Sequence, residues 1–100
     1  MFTHIVLWRL QAHAGGKSRE ENARLIKERF EELANMLDGL RRLEVGLNVI
    51  AGDDAADVAL CAEFDSRAAF QAYDDHPAHK ALVGFIGEVR SERRVIAYES

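Results

Sequence analysis

The sequence predicts an α+β domain of order β-α-β-β-α-β: a four-stranded antiparallel sheet with its helices on one face, the ferredoxin-like arrangement. Three observations carry that expectation. Residues 2–10 and 41–50 alternate with the two-residue period of strands, residues 19–37 repeat apolar side chains at helical spacing, and one proline, Pro77, divides a second helical stretch.

In the first strand Phe2, His4, Val6, Trp8 and Leu10 point one way, and Thr3, Ile5, Leu7 and Arg9 the other. Both faces are largely apolar, so cover is expected on both. "QAHAGGKS" reads as a loop punctuated by Gly15 and Gly16. Ser18 and Glu21 have the spacing of a capping box, in which a hydroxyl meets an orphan amide and the carboxylate reaches back. Ala23, Ile26, Phe30, Leu33 and Leu37 then form one helical stripe, and Gly39 is the predicted stop.

Residues 41–50 set Leu43, Val45, Leu47 and Val49 on one strand face, "AGDDA" turns the chain, and residues 57–64 form the hairpin partner. Ser66 can cap a helix carrying Ala69, Phe70 and Tyr73. That helix falters at His76, because a residue before proline disfavours helical angles. Pro77 suits the first position of a new helix, whose apolar face uses Leu82, Phe85 or Ile86, and Val89. "RRVIAYE" closes the sheet, with Val95 and Ala97 on one side and Ile96 and Tyr98 on the other.

Helices cover one sheet face only, yet Ile5, Leu7, Ala59 and Cys61 belong to the other. A second copy of the chain is the cheapest cover, so a homodimer through the exposed sheet face is expected.

One hundred residues suffice for one core and one domain. The net charge of −4 is spread along the chain, leaving no basic stripe for nucleic acid and no polybasic segment for lipid. No apolar run approaches the roughly 20 residues of a membrane span. The N-terminus lacks a basic leader, so no signal peptide is expected. Cys61, the single cysteine, has no internal disulfide partner and reads as a buried, inert strand residue. The cytoplasm is the expected compartment.

The chemistry-bearing stretch is "YDDHPAHK", residues 73–80. With Pro77 as the first helical residue, His79 falls in the first turn, where the positive end of the helix dipole disfavours imidazolium and keeps a neutral base available. Tyr73 offers a phenolic donor for a developing enolate oxygen. A base plus an oxyanion donor is the minimal kit for removing a proton next to a carbonyl. Plain packing competes with that reading: a histidine before proline caps the next helix, and a tyrosine at helical spacing from Phe70 can bury its ring. Asp74 and Asp75 read as a solvated face. His4, inward beside Val6 and Trp8, suits a polar point in an apolar pocket. That pocket is expected under the helices, lined by His4, Val6, Trp8, Ile26, Phe30, His76, Leu82 and Phe85. A metal site of His4, His76 and His79 has no clear supporting carboxylate or thiolate, so neither metal nor cofactor is expected.

Four segments, "THIVLWRL", "LEVGLNV", "FDSRAAFQAYDDHPAH" and "VIAYE", together span nearly the whole chain and resemble the stress-responsive A/B barrel domain (Dabb) family. The resemblance implies a dimeric α+β barrel. A plant polyketide cyclase of that family closes a linear chain by an intramolecular aldol reaction, and its catalytic tyrosine and histidine fall on Tyr73 and His79, its pocket histidine on His4. Its terminal-strand aspartate is Ala97 here, one of its helical aromatics is Lys27 while another matches Phe30, and the helix-ending proline of many relatives is Asp38. The implied activity is a cofactor-free cyclase, isomerase or lyase acting on a small apolar, polyketide-like carbonyl compound. The alternative is a stress-responsive ligand-binding dimer without turnover. Haem-degrading monooxygenases share such barrels, but Trp8 and Asn48 sit on the wrong elements for that match.

Overall fold

The computed structural model describes residues 1–100. The strands are β1 (Phe2–Leu10), β2 (His13–Ala14), β3 (Lys17–Ser18), β4 (Leu40–Leu47), β5 (Val58–Phe64) and β6 (Arg90–Glu99). Helix α1 (Arg19–Ala34) follows β3, and α2 (Arg67–Asp75) and α3 (Pro77–Val89) lie between β5 and β6. The main sheet is antiparallel with order β4-β5-β1-β6, the ferredoxin-like topology expected from the sequence.

Register places one apolar set under the helices. His4 lies opposite Ala62 and Ala97, Val6 opposite Leu60 and Val95, and Trp8 opposite Val58 and Arg93. Phe2, Val6, Trp8 and Leu10 of β1 and Val58, Leu60, Ala62 and Phe64 of β5 are all buried there. Ile26, Phe30 and Leu33 of α1 and Leu82, Ile86 and Val89 of α3 close the core from above. The opposite face has no helix. Leu7, Ile96 and Tyr98 remain 42%, 57% and 47% exposed there, so the cover expected for the second face of β1 is not provided by the chain itself.

Local capping follows the sequence closely. Ser18 Oγ accepts from the Glu21 amide, and Glu21 Oε1 accepts from the Ser18 amide, completing the capping box. Ser66 Oγ accepts from the Ala69 amide at the start of α2. His76 ends α2 in an extended conformation, and Pro77 opens α3 at its first position.

Four expectations are corrected. Residues 11–18 are not an unstructured loop: they form the small β2–β3 hairpin, turned by Gly15 and Gly16 at positive φ and anchored by Asn22 Nδ2 donating to the Ala14 carbonyl. Helix α1 stops at Ala34 with Asn35 as its cap, one turn before Gly39. Gly39, at φ 77°, instead turns the chain into β4 directly against α2; a Cβ there would lie 2.7 Å from Ala69 Cβ. Strand β4 ends at Leu47, leaving Val49 95% exposed, because Asn48 turns the chain by bonding both the amide and the carbonyl of Ile50. Cys61 is only half-buried, since its side faces the helix-free surface, where Arg42 approaches its sulfur.

Candidate functional site

The helix break builds the site. The last carbonyls of a helix have no partner one turn ahead. Pro77 has no N–H, and the Ala78 amide is taken by His76 Nδ1 at 3.0 Å. The Asp74 carbonyl is therefore left for His79, whose Nδ1 lies 3.2 Å away. A carbonyl can only accept, so in the neutral ring Nδ1 carries the proton and Nε2 keeps the lone pair. His79 Nε2 makes no hydrogen bond within the chain. A backbone carbonyl thus orients the imidazole, although the position opposite His4 on β6 is Ala97 and offers no carboxylate.

Tyr73, one turn before the break, packs its ring 4.2 Å from that of His79, centroid to centroid. Phe64 and Phe70 hold its other sides at 5.1 and 6.0 Å, and Phe70 in turn stacks on Phe2. The ring is immobilised by aromatics, and its hydroxyl is buried with no hydrogen-bond partner. His4, across the site at 6.3 Å from the Tyr73 ring, has a second such atom, Nδ1. Each orphaned group lowers stability by about 1–3 kcal/mol if nothing meets it.

His4, Tyr73 and His79 share one cavity of about 300 Å³ between the helices and the sheet. Val6, Trp8, Phe30, Leu60 and Ile86 make its apolar wall; Asp74, Arg90 and Arg93 supply charge. Burial pulls the His4 pKa down to about 4, with the Arg93 cation acting in the same direction. Burial also lowers that of His79, against the opposing effects of the Asp74 carbonyl and carboxylate. Burial thus acts in the same direction as the helix dipole invoked from the sequence, toward a neutral His79. The Tyr73 phenol is pushed well above its ordinary range by burial and by Asp74, so it remains a donor.

Six of the predicted residues meet here: His4, Val6, Trp8, Phe30, Tyr73 and His79. Four do not line the cavity. Ile26 is wholly within the core and Leu82 is buried in it. Phe85 sits under the Arg29 guanidinium at 4.2 Å, and His76 is occupied as the cap of α3. Lys27, at a position aromatic in the plant cyclase, donates instead to the Val45 carbonyl. No cluster of three or more histidine, cysteine, aspartate or glutamate side chains stands close enough to hold a metal ion, and no helix is long and apolar enough to cross a membrane.

Sequence reasoning missed Leu60, Asp74, Val83, Ile86, Arg90 and Arg93 as cavity residues. The signal for three of them was present. His79, Val83, Ile86 and Arg90 are spaced as one helical stripe, neighbouring the core stripe of Leu82, Ile86 and Val89.

Comparison with known proteins agrees with this architecture. The chain is similar to a dimeric protein of unknown function with a ferredoxin-like fold from Bacteroides fragilis, at 30% identity and TM-score 0.80, covering 99% of this chain and 95% of that one. A Dabb family protein from Mesorhizobium loti aligns at 21% identity and TM-score 0.70, over 99% and 95%. The hydroxynitrile lyase of Passiflora edulis aligns at 18% identity and TM-score 0.79, over 97% and 90%. No curated protein matches the sequence. The stress responsive A/B barrel domain profile matches residues 2–100, and the chain belongs to that family, Dabb.

Proposed function

We propose that the protein is a homodimer that binds a small carbonyl compound in the cavity and removes a proton from the carbon next to the carbonyl. His79 is the base and Tyr73 the hydrogen-bond donor. One observation carries this reading: a neutral histidine with Nε2 free shares a cavity, walled on one side by apolar side chains, with a buried phenol that has no partner. A ligand carbonyl oxygen supplies the acceptor that Tyr73 lacks.

In the step itself, Nε2 takes the α-proton and the C–H electrons move into the carbonyl, leaving negative charge on oxygen. The Tyr73 hydroxyl, kept protonated by burial, donates to that oxygen as the charge develops. The resulting enolate attacks a second carbonyl of the same molecule, expels a leaving group or is reprotonated elsewhere, giving cyclisation, lyase or isomerase outcomes. His4 and the apolar wall hold the chain. The dimer reading rests on the apolar helix-free sheet face and on the dimeric description of similar proteins from Bacteroides fragilis and Thermobifida fusca.

The test is deuterium wash-in from D₂O into the α-carbon of a panel of diketones and keto acids. Wild type is expected to catalyse exchange, with a loss of about 100-fold or more in His79→Phe and about tenfold or more in Tyr73→Phe. Tight binding without exchange across the panel sinks the proton-transfer step and leaves a ligand-binding dimer.

A further inference from the structure

We propose that the carbonyl compound carries a carboxylate, and that Arg93, together with Arg90, meets it at the cavity. The inference deepens the proposed function by naming the substrate class for the same site.

Strand β6 sorts its charges by face. Arg94, opposite Leu7 on the helix-free side, pairs with Glu92. Arg93 is opposite Trp8, and a register shift between Arg9 and Leu10 brings Arg90, rather than Ser91, opposite Leu10. Both arginines consequently border the cavity. Neither guanidinium has an ion-pair or hydrogen-bond partner; Arg19, Arg41, Arg42, Arg67 and Arg94 each have a carboxylate within 4.0 Å, and the other unpaired arginines, Arg9, Arg24 and Arg29, lie away from this cavity. Arg90 and Arg93 are the two arginines that line this cavity, and both are unpaired there.

With His4 and His79 neutral, the cavity lining carries two positive charges and one negative charge, that of Asp74. Asp74 forms an ion pair with neither arginine, so the positive excess is left for a ligand. Arg93 also makes itself felt inside: its charge opposes protonation of both His4 and His79. The same field favours an enolate that forms beside them, so one cation would serve binding and proton removal together. The arginines remain partly hydrated, which keeps the expected preference modest and salt-sensitive.

Binding is measured without turnover through the indole ¹H–¹⁵N cross-peak of Trp8, the chain's single tryptophan and a cavity residue. The probes are 4-oxo-4-phenylbutanoate and its neutral primary amide. Wild type is expected to bind the acid about tenfold more tightly than the amide, a preference that shrinks as salt is added. In Arg93→Gln the preference should fall to about twofold or less with amide binding unchanged, while Arg93→Lys retains part of it. Equal affinity of acid and amide in wild type overturns the inference. So does a preference that survives Arg90→Gln/Arg93→Gln, or no response to either probe. Charge-dependent binding without deuterium exchange leaves the carboxylate site standing and removes the catalytic reading. Exchange without acid preference does the reverse.

Discussion

His79 Nδ1 lies 3.2 Å from the Asp74 carbonyl oxygen, five residues back across the break between α2 and α3. The bond exists because a proline interrupts the helix and frees that carbonyl, so "HPAH" is both helix punctuation and the device that fixes a tautomer. The ¹⁵N shifts of the His79 ring should show the Nδ1–H form with a bare Nε2. They should also show titration below the ordinary value of about 6.5. An Nε2–H ring, or an ordinary solvated titration, would remove His79 as the base.

Tyr73→Phe deletes a hydroxyl that is buried without a partner. Folding stability should therefore hold or rise, by up to about 1–3 kcal/mol, as measured by the urea midpoint, while carbonyl binding weakens. This opposition of stability and binding is the signature of a group kept for a ligand. A loss of stability above about 1 kcal/mol would mean the hydroxyl is satisfied inside the folded protein, by bound water for example.

His4 makes stability depend on pH. Its folded pKa of about 4 lies below the unfolded value of 6.5, so between those values the unfolded chain binds a proton that the native protein refuses. Its contribution is complete above pH 6.5, is lost as pH falls toward about 4, and levels off below that. The loss amounts to roughly 3 kcal/mol at most, with His79 adding in the same direction. Urea unfolding of His4→Asn should show a shallower decline than wild type over this window. Identical slopes would mean that His4 is protonated in the native state.

Elements set by local rules were legible in the sequence: the Ser18–Glu21 box, the Ser66 cap, Pro77 at the start of α3, and the alternation that turns His4, Val6 and Trp8 inward. Tyr73 and His79 were singled out because donor and base chemistry is readable from residue type. Contacts between elements were not legible. Gly39 looked like a helix stop, since its true requirement, the approach of Ala69, lies 30 residues away. Arg93 carries no mark in the sequence, because its place opposite Trp8 depends on the pairing of β6 with β1. Ile26 and Leu82 were assigned to the cavity because helical spacing identifies an apolar stripe but does not say whether it meets empty space or another side chain. Asp74 was read as solvated, and its side chain is exposed; its backbone carbonyl carries no mark in a sequence at all.

The helix-free sheet face supports the last prediction. Ile96 lies opposite Ile5, and Tyr98 and Leu7 flank that pair on the same face. Ile96 is 57% exposed although it belongs to a ten-residue strand with a paired neighbour. Burial of such a patch between two copies adds about 25 cal/mol per Å² of apolar surface, and a charge placed within it loses hydration with nothing in return. Ile96→Asp should consequently convert a dimer to a monomer in sedimentation velocity. The variant should stay folded, because in the isolated chain that side chain already faces water. A dimer unaffected by Ile96→Asp would place the interface elsewhere, and a wild-type monomer at the same concentration would leave this face without its proposed partner.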